Sequence, residues 1–313
     1  MSSSLTSAPS GRQFTIAHGD WRATAVEVGG GIRSLTWAGE VLLAGYGEEQ
    51  ICPASCGQPL LPWPNRLRDG RYAFRRVEYQ LALTEPQHGN AIHGLSAWQR
   101  WECREVQPSR VRMGLALPPQ PGYPFSLDLN VTYGLDGDGL SVLFEAQNRG
   151  PVALPFGAGH HPYVQLGESV DALSLRLPAH TVLTTDERQI PTGSFDVEGG
   201  PWDYRSGRII GSSVLDTAFW DLDRDLDGRA RVSVGDAFGR SIELWMDREF
   251  EGVMVYTGDT LEAPRRRRAL AIEPMTCPPN AFQDGRSVMV LEAGEAVQFG
   301  WGLTARGFAK GSV

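Results

Sequence analysis

The stretch Phe125-Ser126-Leu127-Asp128-Leu129-Asn130-Val131-Thr132-Tyr133 alternates between apolar and polar side chains. A period of two is typical of a β-strand that buries one of its faces. The residues from Gly134 to Gly139 are rich in Gly and Asp, and the alternation resumes at Leu140, Val142, Phe144 and Ala146. Two alternating segments on either side of a turn predict an antiparallel hairpin.

Short extended segments of this kind recur along the whole chain. The 313 residues include 37 Gly and 21 Pro, which break helices and favour tight turns. An apolar stripe at helical spacing is missing, and we expect a single helical turn at 216–221. The sequence therefore predicts an all-β sandwich of mostly antiparallel strands with little helix. Further strands are expected at 21–28, 31–37, 111–117, 173–177, 231–234, 241–246, 252–257, 270–272 and 296–304.

Composition and charge exclude several classes of protein. The net charge of −8 opposes binding to a polyanion, so no nucleic-acid partner is expected. Apolar runs of ~18 residues are absent, which predicts no membrane-spanning helix. The N-terminus from Met1 to Phe14 is polar and Ser-rich, unlike a secretory signal, so we expect a cytoplasmic protein. One domain over residues 1–313 is expected, with residues 1–13 flexible, as a monomer or a homodimer.

The pattern of Cys and His residues predicts neither a metal nor a cofactor. Cys52 and Cys56 are the only close pair among four cysteines, and no second Cys or His pair stands at zinc-site spacing. Buried small side chains are the simpler interpretation. His160 and His161 are adjacent, so on a strand their side chains point to opposite faces and cannot bind one ion. Phosphate-binding and dinucleotide-binding glycine motifs are also missing.

Two histidines and two carboxylates stand out by their surroundings. His93 is followed by Gly94, and His161 lies among glycines and a proline, which suggests a backbone shaped to position it. Taken alone, each is more often a core or surface histidine than a catalytic one. Glu273 ends the apolar run 269–272, where an unpaired charge is costly, so it is either salt-bridged or functional. Asp216 lies in an apolar stretch, where a turn or helix cap is the simplest interpretation.

Two further segments each permit two interpretations. In Pro62-Trp63-Pro64-Asn65-Arg66, the two prolines make a rigid turn from which Asn65 and Arg66 project. The turn is either structural, with Trp63 in the core, or part of a carbohydrate site. The run 265–268 consists of four arginines. It is either a solvated turn between strands or an anion site, for example for a sugar phosphate.

Taken in order, these segments resemble the aldose 1-epimerase (galactose mutarotase) family. The motifs that carry the resemblance are Pro62-Trp63-Pro64-Asn65-Arg66-Leu67 with Gly70, His93-Gly94-Leu95, His161-Pro162-Tyr163, Leu215-Asp216-Thr217-Ala218-Phe219 and Ile272-Glu273-Pro274-Met275-Thr276. The resemblance implies a galactose mutarotase-like β-supersandwich with a sugar cleft. Val164 departs from the family pattern, because an aromatic residue is common at that place.

The resemblance also implies roles for individual residues. His161 matches the general acid and Glu273 the general base, whereas His93, Arg66 and Asp216 match positions that contact the sugar. Asn65, next to Arg66, is expected to contact the sugar as well. Interconverting α and β anomers needs one base at the anomeric hydroxyl and one acid at the ring oxygen. Glu273 would have to be ionised while His161 is protonated.

Three alternatives stay open at the level of sequence. The chain could be a sugar-binding protein without turnover, although both members of the acid/base pair are present. It could be a hexose-6-phosphate 1-epimerase, with arginines placed for the phosphate. A glycoside hydrolase or lyase would need a carboxylate pair at a scissile bond, and the order of the motifs disfavours it.

Overall fold

The structure is a computed structural model that describes residues 8–308, nearly half of which lie in strands. The strands are β1 (Gln13–His18), β2 (Trp21–Val26), β3 (Ile32–Trp37), β4 (Glu40–Leu43), β5 (Pro59–Leu60), β6 (Arg66–Arg68), β7 (Arg71–Phe74), β8 (Val77–Gln80), β9 (Asn90–Ile92), β10 (Glu102–Gln107), β11 (Arg110–Leu117), β12 (Leu127–Leu135), β13 (Leu140–Asn148), β14 (Leu154–Phe156), β15 (Gly159–His160), β16 (Tyr163–Val164), β17 (Ser174–Arg176), β18 (Ala179–Thr185), β19 (Pro191–Asp196), β20 (Arg208–Ile209), β21 (Asp216–Leu222), β22 (Ala230–Gly235), β23 (Ser241–Met246), β24 (Gly252–Tyr256), β25 (Leu270–Met275), β26 (Met289–Leu291) and β27 (Ala296–Arg306).

Two large antiparallel sheets pack face to face. The first runs in the order β1-β2-β3-β4-β16-β25-β24-β21-β18-β19, with β15 and β5 added beside β25. The second runs in the order β10-β11-β12-β13-β27-β23-β22-β17-β20. Side chains from both sheets, such as Ile272 and Phe219 from the first and Phe144 and Leu244 from the second, belong to one buried cluster. The predicted all-β sandwich is confirmed.

The hairpin at the centre of the second sheet forms where the alternation places it. β12 and β13 pair from Leu127 with Asn148 to Leu135 with Leu140. The carboxylate of Asp136 accepts hydrogen bonds from the backbone N–H groups of Asp138 and Gly139, which closes the turn. Along β13 the residues Leu140, Val142, Phe144 and Ala146 are buried, and those between them are half-buried or exposed. The period of two therefore corresponds to one face on the core.

The prediction of a helical turn at 216–221 is wrong. These residues belong to β21, which pairs with β24 on one side and β18 on the other. Both neighbours use its backbone groups, so the tertiary context decides a short segment whose local pattern is ambiguous. Within residues 8–308, helix is confined to Ala281–Asp284 (α1) and a 3₁₀ turn at Val170–Ala172.

The structure also bears on the expectations for the cysteines, for membrane-spanning helices and for residues 1–13. The four cysteines are free, and Cys52, Cys56 and Cys277 are buried, as expected of small apolar side chains. No helix of the described chain is long and apolar enough to cross a membrane. Of the segment 1–13, residues 1–7 lie outside the described residues. In the remainder, the carbonyl of Ser10 accepts a hydrogen bond from the N–H of Val28.

Candidate functional site

The site lies on the face of the first sheet that points away from the sandwich core. Glu273 is inside β25, because the strand continues through Pro274 to Met275 instead of ending at Glu273. Its neighbour Ile272 points into the core, so by strand alternation Glu273 points to the opposite face. Across the sheet, Glu273 pairs with Met254 of β24 and is 2% exposed.

Strand register brings Asp216 to the same face. Asp216, the first residue of β21, pairs with Tyr256 of β24, which in turn pairs with Ala271 of β25. Antiparallel partners share a face, and Ala271 and Glu273 are two residues apart on one strand. The side chains of Asp216 and Glu273 therefore stand on neighbouring rows.

His161 stands between two short strands that flank β25. Its Nε2 atom lies 3.4 Å from Oε1 of Glu273, and its ring stacks on Tyr163 with centroids 4.9 Å apart. His160 points to the other side, into the core, where its Nε2 lies 3.3 Å from the hydroxyl of Tyr133 and its ring contacts Trp301. The expectation that the two histidines face opposite sides is confirmed.

A second wall is built from two residues in the left-handed backbone region. Asn65 has φ 55° and His93 has φ 61°. The N–H of Asn65 donates to Nδ1 of His93 at 3.2 Å, and the N–H of His93 donates to the carbonyl of Asn65 at 3.0 Å. With Nδ1 accepting, a neutral His93 carries its proton on Nε2. The His93 ring lies 5.4 Å from the His161 ring, so the Nε2 donor belongs to a side chain next to His161.

Arg66 follows Asn65 and is held by a carboxylate that the sequence analysis missed. Nε of Arg66 donates to Glu85 Oε2 at 2.9 Å, and Nη2 donates to Glu85 Oε1 at 2.9 Å. The side-chain Oδ1 of Asn65 accepts from the Arg66 N–H, so the amide of Asn65 supports the turn. Glu85 stands alone before Pro86, outside every motif, and no local signal in the sequence distinguishes it.

The six residues that the sequence analysis singled out converge on one cavity of about 390 Å³. This volume is within the usual range for small-molecule sites. The remaining walls include Tyr163, Met254 and Tyr256. The six residues are Asn65, Arg66, His93, His161, Asp216 and Glu273.

Burial sets the protonation of the central pair. It raises the pKa of Glu273 well above the usual value, and the nearby Asp216 carboxylate acts in the same direction. Burial lowers the pKa of His161 to about 3. These shifts favour a neutral imidazole and a protonated carboxyl, unlike the ionised Glu273 and charged His161 expected from sequence. Transfer of one proton across the 3.4 Å gap converts the first state into the second.

Two polar atoms of this pair have no partner. Oε2 of Glu273 and Nδ1 of His161 are buried without a hydrogen bond among the described residues. No Arg or Lys of residues 8–308 forms an ion pair with Glu273. An unpartnered buried polar group costs about 1–3 kcal/mol, so a salt-bridged structural role does not explain Glu273. In this part of the chain, no group of three His, Cys, Asp or Glu side chains is arranged to hold a metal ion.

Comparisons with known proteins agree with this architecture. A family model described as Aldose 1-epimerase matches residues 12–303. YihR, an uncharacterized protein of Escherichia coli, is 38% identical over 291 residues, which cover 91% of each chain. Human galactose mutarotase is 28% identical over 226 residues, which cover 67% of this chain and 64% of the human protein.

Solved structures share the fold at lower identity. The crystal structure of a GalM/aldose epimerase homologue from C. elegans has a TM-score of 0.84 and 18% identity, and covers 94% of this chain and 98% of that chain. The expected galactose mutarotase-like sandwich is confirmed.

Proposed function

Because the chain belongs to the aldose 1-epimerase family and is thus an isomerase, we propose that it interconverts the α and β anomers of an aldose, with His161 and Glu273 as the acid/base pair. One observation carries the assignment of these residues. Their side chains meet at 3.4 Å, both buried, with Oε2 of Glu273 and Nδ1 of His161 otherwise unpartnered, in a cavity of small-molecule size.

The proposed reaction transfers two protons and breaks one bond, which then forms again. Glu273, as carboxylate, removes the proton of the anomeric hydroxyl, and His161, as imidazolium, protonates the ring oxygen. The bond between the anomeric carbon and the ring oxygen breaks, which leaves a free aldehyde. Rotation about the C1–C2 bond exposes the other carbonyl face, and ring closure returns both protons. Each positioned proton transfer contributes roughly 10²–10⁴-fold.

The surrounding residues hold the sugar in this proposal. Arg66 and Nε2 of His93 donate hydrogen bonds to sugar oxygens and stabilise the negative charge that develops during ring opening. Asp216, whose pKa burial raises, exchanges hydrogen bonds with hydroxyl groups. Asn65 acts through its backbone and amide contacts to His93 and Arg66.

One observation favours a second candidate, the epimerisation of an aldose that carries an anionic group. A neighbouring cavity of about 630 Å³ shares Ala54, Tyr163 and Leu261 with the site. Arg265 and Arg268 line this cavity, whereas none of its lining residues in the described chain is Asp or Glu. The site cavity contains three carboxylates, so an anionic group of the substrate would be placed in the neighbouring cavity.

The arginines of the run 265–268 differ in their surroundings. Arg267 is bound by Asp171 and Asp259 at 2.7 Å each and donates to two carbonyls, which is a structural role. Arg266 is exposed and lines neither cavity. Arg268 therefore tests the second candidate, and Arg266 is its matched control.

The experiment is a mutarotation assay on the purified protein by polarimetry and by NMR exchange spectroscopy. Glucose, galactose and xylose are compared with glucose 6-phosphate. Turnover of a neutral sugar that Arg268→Gln leaves unchanged supports the first candidate. A kcat/KM for the phosphate ester that falls about 10-fold in Arg268→Gln but not in Arg266→Gln supports the second. Binding without any exchange of anomers would support the sugar-binding alternative and contradict both.

We further infer from charge and composition that the enzyme acts in the cytoplasm, as a monomer or homodimer, with a small-molecule sugar as its partner and without nucleic acid, membrane, metal or cofactor.

A further inference from the structure

Arg66 lines the cavity proposed to bind the sugar, yet its guanidinium is also paired with Glu85. Both side chains are largely buried, with 12% of Arg66 and 8% of Glu85 exposed. Two N–H···O bonds of 2.9 Å join them in a bidentate geometry. Such pairs combine strength with a defined direction of the guanidinium plane.

Two further side chains contact the carboxylate of Glu85. Nδ2 of Asn90 donates to its Oε2 at 3.0 Å, and Nδ1 of His88 lies 3.2 Å from its Oε1. Arg188 anchors the same loop through hydrogen bonds to the carbonyls of His88 and Gly89. The carboxylate is therefore a fixed point of the site wall.

The other two carboxylates of the cavity could attract the same arginine. Burial raises the pKa of both Asp216 and Glu273, and the positive charge of Arg66 acts against that rise in each case. Yet among the described residues neither of them lies within ion-pair distance of Arg66, whose salt bridge is with Glu85. Without Glu85, a buried guanidinium would lack its counter-ion and would be drawn to these carboxylates.

We propose that Glu85 is a positioning residue that holds the Arg66 guanidinium away from Glu273 and Asp216, so that both carboxylates and the remaining N–H groups of Arg66 stay free for the sugar. This inference rests on the proposed function. A guanidinium has five N–H donors. Glu85 takes the Nε hydrogen and one hydrogen of Nη2. The other three remain for sugar oxygens.

The proposal predicts a shift in the pH dependence with a definite sign. Removing the negative charge of Glu85 leaves the positive charge of Arg66 uncompensated. The positive charge stabilises the ionised carboxylate and destabilises the imidazolium, so both apparent pKa values of the acid/base pair move down. The titratable or charged groups that face Arg66 and this pair are Glu85, His88, His93, His161, Tyr163, Asp216, Tyr256 and Glu273.

The test compares Glu85→Gln, Glu85→Asp and Arg188→Gln by kcat, KM and the pH profile of kcat/KM. Glu85→Gln is expected to lower kcat/KM about 10- to 100-fold and to move both limbs of the profile down by roughly 0.5 pH unit or more. Glu85→Asp keeps the charge, so its profile should return to the wild-type position even if its kcat remains low. Arg188→Gln loosens the loop alone and should lower the melting temperature without moving the limbs.

The outcomes separate this inference from the proposed function. A wild-type protein without mutarotase activity contradicts the proposed function. If the wild type is active, either of two results contradicts the positioning role. One is a Glu85→Gln profile that stays in place, and the other is an equal shift in Arg188→Gln. If Glu85→Gln does not fold, the pH profile of Glu85→Asp decides. This variant keeps the negative charge, so displaced limbs in Glu85→Asp, even together with a low melting temperature, would contradict the role.

Discussion

Replacing Glu273 by Gln should make the enzyme almost inactive and, at neutral pH, more stable. The amide keeps the shape of the protonated carboxyl, so the packing of this buried side chain is preserved. It cannot accept the proton of the anomeric hydroxyl, and kcat should fall by ~10² or more. Among the described residues the only titratable side chain within ion-pair distance of Glu273 is His161, whose imidazole is neutral at this pH, so no salt bridge to Arg or Lys is lost.

The gain in stability follows from the raised pKa of Glu273. An unfolded Glu has a pKa of ~4.3, whereas burial raises the folded value. Between the two values the folded state binds the extra proton, so the wild-type protein loses up to ~1.4 kcal/mol of stability per pH unit as the pH rises. Gln carries no such proton. The stability of the variant relative to the wild type should therefore grow from pH 5 to pH 7.

Urea unfolding at pH 5, 6 and 7 and polarimetry measure the two effects. Glu78→Gln is the matched control, because Glu78 is an exposed carboxylate on β8. It should leave kcat unchanged and should not show the growing gain in stability. A Glu273→Gln variant that keeps more than a tenth of the wild-type kcat would refute the assignment of the base. A stability difference that is constant from pH 5 to pH 7 would refute the raised pKa.

Three further predictions use neighbouring residues as contrasts. His161→Asn should lower kcat by ~10² or more, measured by polarimetry, whereas His160→Ala should keep activity within a few-fold and lose about 2–4 kcal/mol of unfolding free energy, since it empties a fully buried position. The reverse pattern would mean that the assignment is displaced by one residue. Arg267→Ala should cost about 1–3 kcal/mol in denaturant unfolding, because the half-buried carboxylate of Asp259 loses its ion-pair partner, whereas Arg266→Ala should stay within about 0.5 kcal/mol. Dialysis against EDTA should leave the mutarotation rate unchanged, and activity restored only by a divalent ion would contradict a pure acid/base mechanism.

Local sequence determined those features that depend on short-range periodicity. The alternation around Phe144 is enough to predict the central hairpin, because a strand buries every second side chain. The same rule separates His160 from His161 without any knowledge of the tertiary structure. The motifs identified the family and six of the residues that line the cavity.

Only the tertiary structure decided how these residues are placed, paired and protonated. Asp216 was expected in a turn or a helical cap, but two neighbouring strands place it in a sheet beside Glu273. Glu85 has no motif, and its role emerges only because β9 pairs with β6 and brings the loop before β9, which carries Glu85, against Arg66. The protonation of the pair also depends on the fold, because burial by residues far apart in the chain removes the water that would stabilise a charged His161 and an ionised Glu273. Desolvation is a property of the assembled cavity, and no local stretch of sequence encodes it.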